Sequence, residues 1–204
     1  MATATFLMSP ATRGRSLTMD EYLDADYVEG YRYELAQGVL EVTKIPKGRP
    51  HGRIVWFFTL RLADYHRDHP EIIDFFGGAG EYHLVLPTMV SGRNPDVAVT
   101  LVGTPKDADG ERPPSLAIEV VSPGKRARER DYITKRQEYL AYGLREYWIV
   151  DPVARRVTVL VRNGDAWTER VFHDGQTASG LVLPGFAVPV AEIWPTPEDE
   201  NDRA

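Results

Sequence analysis

Residues 94–102, NPDVAVTLV, followed by residues 115–123, SLAIEVVSP, decide how this chain folds. Each is a short, largely apolar run that reads as a buried strand. Each also carries a carboxylate: Asp96 heads the first run and Glu119 lies inside the second. A carboxylate in a buried strand is costly unless it is paired or bound to a cation. One alone reads most simply as half of an ion pair. Two on consecutive strands, with the backbone carbonyl of Val120 beside them, make a hard oxygen set suited to Mg²⁺ or Mn²⁺.

Outward from this pair, residues 128–142 read as a helix, closed by Gly143 at the C-cap position. Residues 146–150 then read as a strand ending at Asp151-Pro152. Strand, helix, strand implies a parallel crossover. On the N-terminal side, Thr18-Met19-Asp20-Glu21 is a capping box opening a helix to about Asp26. Gln37-Gly38 reads as the two-residue turn of a hairpin. Ile54, Phe57, Phe58, Leu60, Leu62 and Tyr65 predict a largely buried helix over 50–69, and 81–86 a strand. Residues 156–161 and 166–172 alternate as a second hairpin through Asn163-Gly164. The fold class expected is α/β (α+β), a central mixed β-sheet flanked by helices. Residues 1–16 read as a flexible leader, 17–194 as a single domain and 195–204 as an acidic tail.

The 204 residues contain no cysteine, which excludes disulfides, thiolate metal sites and a cysteine nucleophile. No apolar run reaches the roughly 18 residues of a membrane span, and no secretory signal opens the chain, so a cytoplasmic protein is expected. Lys and Arg number 24 against 30 Asp and Glu, a net charge of −6, which argues against non-specific coating of nucleic acid. Residues 125–136 differ: Lys125, Arg126, Arg128, Arg130, Lys135 and Arg136 face only Glu129 and Asp131, a local +4. That run is either a solvated helix face or a surface for phosphates. Tyr142, Tyr147 and Trp148 beside it are either core residues or platforms for bases. His66, His69 and His83 lack the placed partners of a zinc site. Gly77-Gly78-Ala79-Gly80 lacks the Lys-Ser/Thr of a nucleotide loop.

Pro95-Asp96 followed by a strand with Glu119 resembles the PD-(D/E)XK nuclease superfamily, whose fold is restriction-endonuclease-like. More narrowly, the chain resembles the Uma-type endonuclease family. The matching stretches, within about 17–194, are YELAQG at 33–38, His51, NPDVAV at 94–99, IEVVSP at 118–123, Lys135 to Tyr139, EYWIVDP at 146–152 and LPGF at 183–186. The resemblance implies a metal-dependent DNA endonuclease. Asp96, Glu119 and the Val120 carbonyl would hold Mg²⁺ or Mn²⁺, with Glu34 as a third carboxylate near the metal. His51 would contact a phosphate or assist proton transfer, or else simply cap its helix. The superfamily places a lysine two residues after the glutamate, where this chain has Val121. Lys135 is the expected substitute, projected from the following helix, unless it is an ordinary exposed lysine. DNA would lie on Lys125, Arg126, Arg128 and Arg130, and a homodimer would supply one site per strand. The alternative is a catalytically silent fold serving as a binding or assembly module. A small-molecule enzyme with a carboxylate–metal site is a third reading.

Overall fold

The computed structural model describes residues 5–45, 49–107 and 110–194. In chain order these form β1 (Leu7–Met8), α1 (Met19–Leu23), β2 (Asp26–Tyr27), β3 (Tyr31–Ala36), β4 (Val39–Lys44), α2 (Arg49–Asp68), β5 (Ile73–Gly77), β6 (Leu84–Leu86), β7 (Ser91–Arg93) and β8 (Val97–Leu101). There follow β9 (Leu116–Val120), α3 (Lys125–Glu129), a π-helical turn (Arg130–Thr134), α4 (Lys135–Tyr142), β10 (Glu146–Asp151), β11 (Arg156–Asn163), β12 (Ala166–His173), β13 (Thr177–Ser179) and β14 (Ala187–Pro189). They fall into two units, one from the described residues of Met1–Lys47 with His83–Asn94, the other from those of Gly48–Tyr82 with Pro95–Ala204.

The first unit is an antiparallel sheet in the order β4-β3-β7-β6. Its hairpin pairs Ala36 with Val39, so Gln37 and Gly38 form the turn; both have positive φ, +50° and +79°, as a type I′ turn demands. The capping box is made: Thr18 Oγ1 accepts from Glu21 N–H at 3.1 Å and Glu21 Oε2 from Thr18 N–H at 2.8 Å. The helix ends at Leu23, short of Asp26, because Asp26 N–H is drawn to Phe6 O and β2 pairs with β1. Residues 5–16, read from sequence as a leader, are tied down. Gly14 N–H donates to Leu40 O, and Leu40 N–H to Arg15 O. The open edge of β4 supplies these backbone partners, which a polar side-chain pattern does not reveal. Met8 and Leu17 join Tyr22, Tyr33, Leu35, Leu40 and Val42 in this unit's core.

The second unit is a six-stranded mixed sheet, β12-β11-β10-β9-β8-β5, in which β9 and β10 are parallel and the other neighbours antiparallel. The expected crossover and mixed sheet are both present. Ile54, Phe58, Leu62 and Tyr65, spaced along one face of α2, share a core with Val97, Val99, Leu116, Ile118, Val120, Trp148 and Val150. The alternate residues Ala98, Ala117, Glu119, Tyr147 and Ile149 are buried too. On that side Tyr147 meets Tyr139 of α4, ring centroids 4.9 Å apart, and its hydroxyl donates to Asp131 O. Cover on both faces explains the near-continuous apolar strands. β5 and β7 were not anticipated: β5 carries a register shift near Asp74, and β7 is three residues containing a Gly and an Arg. In the late hairpin Asn163 pairs with Ala166, so the turn is Gly164-Asp165, one residue beyond the expected place. Among the described residues no helix is long and apolar enough to cross a membrane. The expected acidic tail, 195–204, lies outside the described residues.

Candidate active site

The second unit brings five of the expected site residues, Asp96, His51, Glu119, Val120 and Lys135, to one region of its sheet. Val97 pairs with Ile118, so the same antiparallel register carried one step further sets Asp96 opposite Glu119. Asp96, 3% exposed, is pinned through Oδ2, which accepts from Val120 N–H at 2.9 Å. His51, in the first turns of α2, places Nε2 3.1 Å from the same oxygen. With Asp96 ionised, the tautomer that suits this contact is the one with the proton on Nε2, which then donates to the carboxylate. What β9 offers Asp96 is thus the Val120 amide, on the residue whose carbonyl was the expected ligand.

Glu119 is 1% exposed, and its Oε1 accepts from Lys135 Nζ at 2.8 Å and from Tyr139 OH at 2.6 Å. Lys135 is itself buried at 1%, not an exposed helix lysine. The local cause is the π-helical turn: Lys135 N–H bonds to Arg130 O, five residues back, so one extra residue is accommodated before α4 begins. Lys135 and Tyr139, four apart, then share the helix face over β9. Val121, at the superfamily's lysine position, is buried and its N–H donates to Val150 O.

Asp131 was counted in the sequence only as a countercharge within the basic run. It is fully buried, held by Arg130 through Nε to Oδ1 at 2.8 Å and Nη2 to Oδ2 at 3.2 Å. Burial pushes its carboxyl upward against the pull of Lys135 and Arg130, and Asp96 adds to the rise. The Tyr147 hydroxyl is raised by burial first, then by the charges of Asp131, Glu119 and Asp96. Three carboxylates therefore act on one small buried region. Asp131's place four residues before Lys135, and Tyr139's four after it, were the signals a helical reading of the run contains.

Glu34 belongs to the first unit. Its Oε1 accepts from Asn94 N–H at 3.0 Å, and Oε2 is 3.6 Å from Nη1 of Arg93, a fully buried guanidinium that also donates to Glu41 at 2.7 Å. Asn94 Nδ2 donates to Tyr33 O at 2.9 Å, fixing the end of β7 from two directions.

The basic run is less available than its charge count implies. Lys125 and Arg126 are exposed, but Arg128 pairs with the buried Asp151 and lies over the Tyr132 ring, while Arg130 is committed to Asp131. Tyr147 and Trp148 are fully buried core residues, which settles them as packing rather than base platforms. Glu146, which opens the EYWIVDP stretch, is another strand carboxylate; it accepts from Trp148 Nε1 at 2.6 Å and from the amides of Leu181 and Val182 at 2.6 and 3.0 Å. Among the described residues no three His, Asp or Glu side chains form a ready-made metal cage.

A mixed sheet with one parallel pair bridged by a helix, and a carboxylate–lysine pair at its buried end, is a restriction-endonuclease-like architecture. A solved structure from Anabaena variabilis ATCC 29413, described as "a putative nuclease belonging to DUF820", matches it with a TM-score of 0.67 at 18% identity, covering 87% of this chain and 97% of that one. The chain belongs to the family described as "Putative restriction endonuclease", whose family model matches residues 19–191. No curated protein matches it.

Proposed function

We propose that this protein is a Mg²⁺- or Mn²⁺-dependent endonuclease that hydrolyses phosphodiester bonds in DNA. The observation that carries the reading is the buried Lys135–Glu119 pair set across one strand from Asp96. The donor chemistry fits the ion. Mg²⁺ takes one or two protein carboxylates and completes its shell with water and substrate phosphate rather than a full protein cage. Asp96 and Glu119, with the Val120 carbonyl, would hold it; when bound, it activates a water and neutralises charge developing on the phosphate. Asp96 is oriented by the Val120 amide and His51. His51, with a protonated nitrogen on that carboxylate, supports the ligand and stands near where a phosphate would lie. Lys135 is a fixed cation for the water or the phosphate, in place of the strand lysine that Val121 displaces. The family resemblance implies an assisting role for Glu34, which within the first unit is held by Asn94 and Arg93. Lys125 and Arg126 track the DNA backbone, with Arg128 and Arg130 behind them in ion pairs. The reading places the protein in the cytoplasm.

Isothermal titration with Mn²⁺ tests the ligands: wild type should bind one ion and Asp96→Asn should weaken it strongly. Nicking of plasmid DNA in Mg²⁺ tests the chemistry. Equal affinity in both proteins would overturn the assignment, and absence of both binding and nicking would leave a fold serving as a binding module.

A further inference from the structure

We infer that Tyr139 is a positioning residue for the Glu119 carboxylate, acting with Lys135 to fix the direction in which Glu119 addresses its ligand. This rests on the proposed metal site. Tyr139 is fully buried, and its hydroxyl donates at 2.6 Å to Glu119 Oε1, the oxygen that Lys135 Nζ also reaches at 2.8 Å. Lys135 brings a positive charge to that oxygen. A phenol is neutral, so its hydroxyl adds direction rather than charge. The last torsion of a glutamate is broad and two-fold, and a single donor leaves the carboxylate plane able to turn. Two donors on one oxygen, from successive turns of α4, hold that plane and with it the line along which the second oxygen points.

The tyrosine is held in turn. Its ring packs edge-on against Tyr147, centroids 4.9 Å apart and planes at 87°. Tyr147 OH donates at 3.0 Å to Asp131 O inside the π-helical turn. A connected path thus runs from the turn through two aromatic rings to the carboxylate. The turn that delivers Lys135 also braces Tyr139, so the two donors arrive as a set.

Tyr139→Phe keeps the ring and removes the hydroxyl. The test is Mn²⁺ titration of folded wild type, Tyr139→Phe and Glu119→Gln, with thermal melting of each. Loss of an outer-shell partner typically weakens metal binding about 10–100-fold. The expected result is therefore a Kd for Mn²⁺ raised about tenfold or more in Tyr139→Phe, in protein that still melts cooperatively, with Glu119→Gln weaker again. A purely structural tyrosine would lower the melting temperature and leave the Kd of the folded protein unchanged; that result overturns the inference while leaving the metal reading intact. Wild type without Mn²⁺ binding overturns both. Should Tyr139→Phe not fold, 3,5-difluorotyrosine at position 139 retains ring and hydroxyl with a more acidic donor. Because direction is kept, its Kd should stay near that of wild type; a Kd raised tenfold there would make the phenol's acidity, not its direction, the determinant and overturn the inference.

Discussion

Lys135→Ala would remove the ammonium that lies 2.8 Å from Glu119 Oε1, a carboxylate only 1% exposed. Breaking a buried ion pair from one side costs about 3–5 kcal/mol. Urea denaturation of Lys135→Ala should show a loss of that order at neutral pH, and adding Glu119→Gln should restore part of it. An unchanged midpoint in the single variant would place the amine outside the buried site. A second residue in the first unit carries a pH signature. His83 Nε2 lies 3.3 Å from Tyr22 OH, and desolvation holds the imidazole below its ordinary 6.5 despite the upward pull of Glu34. The fold thus favours neutral His83. Its contribution to stability is fully present above the unfolded value and is lost as pH falls through the lower folded one. NMR titration should give a His83 midpoint below 6.5; a midpoint above it would mean the ring is solvated or facing an unopposed carboxylate.

At the scale of elements, the π-helical turn Arg130–Thr134 joins α3 to α4 and decides which side chains of α4 meet β9. Ile133 lies in that turn with its side chain 53% exposed. Deleting it should restore α-helical spacing and rotate α4 by about 100°, one residue's worth. Lys135 and Tyr139 then cannot both face Glu119. A large fall in melting temperature together with loss of Mn²⁺ binding is expected. Ile133→Ala, which leaves the spacing alone, should stay within about 0.5 kcal/mol of wild type. Binding retained after the deletion would show that the turn does not set the site. A different constraint ties the loop after β13 to β10. A Cβ on Gly180 would come within 1.8 Å of Glu146 Oε1, in the carboxylate that receives the Leu181 and Val182 amides. Gly180→Ala should therefore destabilise by about 1–3 kcal/mol, as overpacking does, and urea denaturation measures it.

For the whole molecule, the net charge of −6 leaves DNA attraction to a few local residues. If Lys125, Arg126, Arg128 and Arg130 each met a phosphate, log K would fall with log salt at a slope of roughly −3.6; with only the exposed Lys125 and Arg126 engaged it would be roughly −1.8. Arg128 and Arg130 already serve Asp151 and Asp131, so the shallower slope is expected. Anisotropy of a labelled duplex in Ca²⁺ across a salt series measures it, and Lys125→Glu with Arg126→Glu should abolish most of the binding. Binding unchanged by that double reversal would move the DNA to another surface. Cutting both strands of a duplex calls for two sites, which a twofold dimer provides. Light scattering at micromolar concentration should report that dimer; a strict monomer would refute it.

Much of this protein is legible along the chain because local physics repeats there. The Thr18–Glu21 box, the Gln37-Gly38 turn, the apolar face of α2 and the parallel strands around a helix all follow from spacing and backbone preference alone. Asp96 and Glu119 stood out because a charge inside an apolar run needs a partner. Which partner it has is not a local property. Glu119, Glu146 and Asp151 look alike in sequence, yet one meets Lys135 and Tyr139, one an indole and two amides, and one Arg128. Residues 5–16 look like a leader until the edge of β4 binds them, and Lys135, expected near the site from the family resemblance, is turned inward by an extra residue in the helix. Spacing and backbone preference were enough to place the capping box, the first hairpin turn, α2 and the two strands that carry Asp96 and Glu119. Tertiary structure decided which of those charges meet, because pairing depends on distances between segments far apart in the chain, whereas periodicity records only neighbours.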